Sequence, residues 1–161
     1  MKGTRHNGRS GKDGVYNPLH NDRRFDPEHS EHIDNERVRQ NIYWDCYQGY
    51  TTMEDRGKED NFSFSQIEMA YYSEHYSDYV INQNKRHEKA RHPDRCKEVE
   101  DVWKNKKTCP EESIYQLGTI DEHASVETLI LVFDEFKKEF DERFGSNVHI
   151  IDWSLHMDEA T

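Results

Sequence analysis

Val126-Glu127-Thr128-Leu129-Ile130-Leu131-Val132-Phe133-Asp134-Glu135-Phe136-Lys137-Lys138-Glu139-Phe140-Asp141-Glu142-Arg143-Phe144 is the stretch whose reading decides the fold. Val126, Leu129, Ile130, Phe133, Phe136, Phe140 and Phe144 recur at the spacing of a helix with one buried face. Ser125 suits the N-cap, Glu127 and Thr128 fill the first turn, and Gly145 suits the C′ position. Upstream, Ser113 to Ile120 reads as a strand; downstream, Asn147 to Leu155 reads as a second, buried one. Strand, helix and strand in that order are the signature of an α/β or α+β domain with helices packed on a sheet, and the fold expected is α+β, an antiparallel or mixed sheet with helices on one or both faces. If the helix packs on the sheet, replacing Phe133 or Phe136 with Ala should cost on the order of 3–5 kcal/mol.

Working back, a long helix is expected from Ser63 or Ser65 to about Ala90, with Met69, Tyr72, Tyr76, Tyr79 and Gln83 on one face. Those tyrosines could offer a stacking platform, but helix packing is the simpler role. Pro93 ends this helix. A second runs from Asp94 to about Lys106 with Val99, Val102 and Trp103 inward, and Thr108-Cys109-Pro110 breaks it. Asp34 could cap a short helix through Gln40, and Asn41 to Asp45 fits either a continuation of that helix or a strand. Residues 51–61 read as a polar loop. Residues 1–18 read as a flexible basic arm ahead of a domain spanning residues 19–161.

The 161 residues suffice for one modest core, and only 32% are hydrophobic against 34% charged. No apolar run approaches the ~18 residues of a membrane span, and Met1 to Gly14 lacks a secretory apolar region. Cys46, Cys96 and Cys109 show no CxxC spacing and fit free thiols in a reducing cytoplasm. The net charge of −11 argues against a nucleic-acid binder, yet Met1 to Arg24 holds six basic residues against two acidic ones, and Lys85, Arg86, Lys89 and Arg91 form a second basic patch.

Two constellations carry chemistry. His20-Asn21-Asp22-Arg23 joins an imidazole, able to attack or shuttle a proton, to a guanidinium able to clamp phosphate oxygens. At the other end, Asp152, Ser154 and His156 share a strand face opposite Ile151, Trp153 and Leu155, and Glu159 lies close to His156 along the chain. Taken alone, each also fits ordinary surface polar residues. His29 and His32 have a helical spacing that could hold a metal, while His87 and His92 fit a solvent-exposed helix end.

Together with Asn41-Ile42-Tyr43-Trp44-Asp45, these stretches form an ordered series: His20-Asn21-Asp22-Arg23, then Asn41 to Asp45, then His156-Met157-Asp158-Glu159-Ala160-Thr161. In this series the chain resembles the plasmid mobilisation and recombination relaxases of the MobV (Pre/Mob) family. The resemblance spans roughly Tyr16 to Thr161. It implies a relaxase-like (HUH-type) domain that nicks one strand of plasmid DNA at a transfer origin and keeps the 5′ end as a covalent adduct. By resemblance, His20 is the nucleophile, Tyr43 its rival, Arg23 a phosphate clamp, His156 a ligand of a divalent metal (Mn or Mg), and Glu159 a residue that orients the metal site. Arg23, Arg24, Lys85, Arg86, Lys89 and Arg91 would follow the DNA backbone, with accessory mobilisation proteins as further partners. The family's third motif continues into two more histidines that this sequence lacks. The expectation is therefore a frame truncated inside that motif and a weak nickase. Two rivals stand beside it: a non-catalytic origin-DNA-binding or regulatory remnant, and a soluble interaction protein whose motif matches are accidental.

Overall fold

The computed structural model describes residues 3–8 (backbone), 18–23, 33, 34, 36–118 and 124–158. The centre of the fold is a three-stranded antiparallel sheet of β2 (Ile42–Asp45), β3 (Gly49–Thr52) and β5 (Asp152–Leu155), in the order β3-β2-β5. Ile42 lies opposite both Thr52 and Leu155, and Asp45 opposite both Gly49 and Asp152. Asn41 to Asp45 thus resolves as a strand, because only an extended backbone sends Tyr43 and Asp45 to the buried face while Trp44 turns to the other.

Two helices cover the sheet. On the Tyr43 face lies α3 (Phe64–Lys89), the long helix expected from the sequence. Its cap is Ser63: the Ser63 hydroxyl accepts from the Gln66 N–H, and the Gln66 side chain accepts from the Ser63 N–H. The buried residues of α3 are Phe64, Ile67, Glu68, Tyr72 and Val80, while Tyr76 and Tyr79 of the expected tyrosine face are exposed. On the Trp44 face lies α5 (Val126–Phe144), capped by Ser125, whose hydroxyl accepts from the Thr128 N–H. Phe133 stacks on Trp153 with ring centroids 3.7 Å apart. No residue of α5 is fully buried, and Phe136 stays 39% exposed, so the helix leans on the sheet through one edge of its apolar stripe. Gly145 has φ −60°, not the left-handed conformation of a C′ glycine; a Cβ there would run into the Asp141 carbonyl.

Other expectations need correction. Gly3–Gly8, inside the stretch read as a flexible arm, forms β1, which pairs antiparallel with β4 (Glu112–Leu117). That two-stranded ribbon is separate from the central sheet, so the strands flanking α5 belong to different sheets. The alternation within each strand sets which face is apolar, but says nothing about which partner it pairs with. Residues 51–61 are not all loop: Thr51 and Thr52 end β3, and Met53–Arg56 form α2, capped by a Thr52–Asp55 capping box. The short helix before β2 is a single 3-10 turn, Val38–Gln40. The second expected helix is shorter, α4 (Val99–Lys104), preceded by a 3-10 turn at Pro93–Arg95. Among the described residues no helix is long and apolar enough to cross a membrane.

Candidate functional site

Three segments distant in sequence meet at one end of the central sheet. The helical turn α1 (Pro18–Asn21) carries His20, β2 begins beside Asn41, and the chain leaving β5 carries His156, Met157 and Asp158. The rings of His20 and His156 lie 6.0 Å apart, edge to face. His156 Nε2 lies 2.9 Å from the Asn21 carbonyl oxygen; a carbonyl can only accept, so Nε2 carries the proton. Asn41 is fully buried, and its side-chain oxygen accepts from the Met157 N–H at 2.8 Å. His20 itself is exposed.

Arg23 and Asp158 clamp this arrangement. Arg23 Nε and Nη2 donate to the two Asp158 oxygens at 3.0 and 2.9 Å, and Nη1 donates to the His20 carbonyl at 2.8 Å. Both side chains are almost completely buried. Burial alone would push the Asp158 carboxyl up; the hydrogen bonds from Arg23 and Asn41 and the Arg23 charge outweigh it and hold it below the usual carboxylate range. Arg23 also adopts φ +53°, a left-handed conformation that costs a non-glycine residue on the order of 1 kcal/mol or more. The bidentate pair holds it there. Arg23 is therefore not the phosphate clamp expected from the sequence: its fork is spent on Asp158, and its role is to lock the His156 segment to the His20 turn.

Beneath this end of the sheet lies a second buried polar layer. Asp22 accepts from the Phe64 N–H at 3.0 Å, satisfying a donor at the start of α3, and from Arg56 Nη2 at 3.4 Å. The Arg56 guanidinium lies 4.6 Å from the centroids of both the Tyr43 and Phe64 rings. Tyr43 is wholly buried, and its hydroxyl meets Met53 Sδ at 3.5 Å. Burial raises its pKa against the opposing influence of Asn41, Arg56 and Arg23. A phenol enclosed in this way could not reach a phosphodiester without opening the core, so Tyr43 serves packing and the rival-nucleophile expectation loses its footing.

Further along the same face, Asp45 and Asp152 oppose each other across β2 and β5, a pairing that repels when both are charged. Asp45 is satisfied by the N–H groups of Tyr47 and Gln48 and by the Gln48 amide, at 2.7–2.9 Å. Asp152 instead meets Glu68 of α3, which also accepts from Trp103 Nε1 at 2.7 Å. Burial first pushes both carboxyls well above their usual range; the Asp152 charge adds to this at Glu68, and the charges of Asp45 and Asp22 add to it at Asp152, where the hydrogen bond with Glu68 works the other way, so the pair retains a proton. The strand alternation had placed Asp152 on a polar face, but its partner on α3 left no signal in the sequence.

Lys85, Arg86, Lys89 and Arg91 lie at the far end of α3, exposed. Lys85 is 21 positions beyond Phe64, so they stand about 30 Å along the helix from the His20 end. A strand of DNA held at His20 would have to span that length to touch them. Arg24, Glu159, His29 and His32 lie outside the described residues. Among the described residues no group of three or more His, Cys, Asp or Glu side chains gathers to hold a metal ion. His20 and His156 are the two imidazoles at the site, and Asp158 is committed to Arg23, so these residues by themselves do not fit a closed metal centre. No protein-family model, curated protein or solved structure matches the chain.

Proposed function

We propose that the chain is a DNA-strand-transferring domain of the relaxase type, with His20 as its nucleophile. The observation that carries this reading is the meeting of His20 and His156, 136 positions apart, locked by the Arg23–Asp158 pair. The sequence had singled out these same segments on chemical grounds. An exposed imidazole held edge to face against a second, hydrogen-bonded imidazole supports the reading of His20 as a positioned nucleophile. A His20 ring nitrogen would attack the phosphorus of a single strand, forming an N–P bond as the P–O3′ bond breaks. The departing 3′ oxygen takes up a proton. The resulting phosphoramidate keeps the energy needed for the 3′ hydroxyl to reverse the step.

The test is to incubate the protein, with and without Mn²⁺, with fluorescent single strands tiled across candidate plasmid transfer origins. The expected product is an acid-labile covalent band on denaturing gels that His20→Ala abolishes and Tyr43→Phe retains. No adduct with any strand, together with binding indifferent to salt between about 50 and 200 mM, would remove the reading. A second reading is favoured by the engagement of Arg23 with Asp158: the same site binds origin DNA without cutting it. It predicts salt-sensitive binding and no adduct.

A further inference from the structure

At the other end of the sheet a cleft of about 390 Å³ opens where β2, α3 and α5 come together, lined by Trp44, Cys46, Tyr71, Lys137, Asp141 and His149. From Asn41 to Cys46 the sheet runs roughly 17 Å, so the cleft is separate from the His20 site. Its walls are aromatic. Tyr71 is backed by His75, stacked at 4.0 Å, and His149 leans toward both rings at 6.1 and 6.3 Å. Its lining carries one carboxylate, Asp141, paired with Lys137, and a second carboxylate, Glu74, held by the Tyr47 hydroxyl at 2.6 Å, lies close to Tyr71 and Cys46. Desolvation, then the charges of Asp45 and Asp152 on the buried face of the sheet and of Glu74, push the Cys46 thiol up to about 11.

The cleft already holds a cation. Lys137 Nζ sits 5.1 Å from the centre of the Trp44 ring and 2.6 Å from Asp141 Oδ2. An indole face with a carboxylate beside it is the arrangement that recognises organic cations. We propose that this cleft is a docking site for an arginine side chain of a basic peptide partner, whose guanidinium displaces the Lys137 ammonium from Trp44 and Asp141. A guanidinium is the better occupant: it is planar, stacks on aromatic rings, sheds water more readily than an ammonium, and forks onto a carboxylate. Charge complementarity selects the partner, since a chain of net charge −11 with acidic groups around this cleft attracts a basic segment and repels a phosphate. The proposal stands apart from the DNA-strand reading and does not need it.

The test is nuclear magnetic resonance on the nitrogen-15-labelled full chain, following the indole N–H signals of its three tryptophans. The probe is a short Gly-Arg repeat peptide; the same peptide with citrulline, arginine's neutral isostere, is the control. The Trp44 signal should shift saturably with the arginine peptide and not with the citrulline peptide, while Trp103, hydrogen-bonded to Glu68, stays in place. Asp141→Asn should weaken binding by about three- to fivefold, the scale of one exposed cation–π or ion-pair contact, and Lys137→Met should tighten it by removing the resident competitor. Both are surface changes that spare the core. Equal shifts with the citrulline peptide would overturn the proposal. So would an absence of shift, or phosphate binding that Lys137→Met abolishes.

Discussion

Glu68→Gln tests the most unusual element of the core. Glu68 is 1% exposed, faces Asp152, and accepts from the Trp103 indole. Its pKa is pushed from an ordinary 4.5 up to about 9, chiefly by burial. Between those values the native state keeps a proton that the unfolded chain releases. Native protein then binds more protons than unfolded protein, so stability falls as pH rises through this window. One whole proton corresponds to about 1.4 kcal/mol per pH unit, hence roughly 3 kcal/mol lost between pH 5 and 7, a large share of a typical domain's stability. Glutamine mimics the protonated acid: its amide can donate to Asp152 while its oxygen still accepts from Trp103. Urea melts from pH 5 to 8.5 should show the wild-type midpoint falling through the whole range and the Glu68→Gln midpoint falling less steeply up to about pH 7, where Asp152 still holds its own proton, and nearly level above it, with the variant the more stable there. If both proteins follow the same pH slope, the shared proton does not exist and the Glu68–Asp152 assignment is wrong.

Asp158→Asn leaves the buried Arg23 guanidinium without its counter-charge and should cost on the order of 3–5 kcal/mol in thermal or urea melts. Because the Asp158 carboxyl lies below its usual range, wild-type stability should drop as pH falls into the acid region, and the variant should lose that part of the acid limb. Phe133→Ala removes a ring stacked on Trp153 but only half-buried and should cost about 2 kcal/mol; Phe136→Ala, at 39% exposure, should cost less than about 1 kcal/mol. A cost above about 3 kcal/mol for Phe136→Ala would mean that α5 packs more deeply than described. Tyr43→Phe should change stability by less than about 1 kcal/mol, since the lost contact is a hydroxyl on a thioether sulfur, and chemical denaturation checks it.

Local signals carried the elements whose determinants are local. Ser63 with Gln66, and Ser125 with Thr128, mark helix starts through bonds spanning three residues, and the apolar repeat from Val126 to Phe144 marks a helix whatever it packs against. Alternation along residues 151–156 separated Trp153 from Asp152 correctly, because side chains on successive strand residues must point to opposite faces. The grouping of His20 with His156 came from the ordered series of motifs that resembles the relaxases, not from a local pattern, and the two rings do meet in the fold.

Pairing was decided in three dimensions. Nothing local told β4 to take β1 as its partner, or β5 to take β2, since each choice is settled by which distant strand is left with an open edge and a matching face. The same holds for the charged groups. Arg23 reads as a phosphate clamp until Asp158 occupies its fork, Tyr43 as a rival nucleophile until Phe64 and Arg56 enclose it, and Glu68 carries no signal of its own until β5 brings Asp152 against it. By itself the sequence determined where the two long helices start, which stripe of α5 is apolar and which residues have reactive chemistry, because those properties reside in one residue and its near neighbours. Only the tertiary structure decided which charges are buried, paired or protonated, because desolvation and pairing depend on groups brought together from distant parts of the chain.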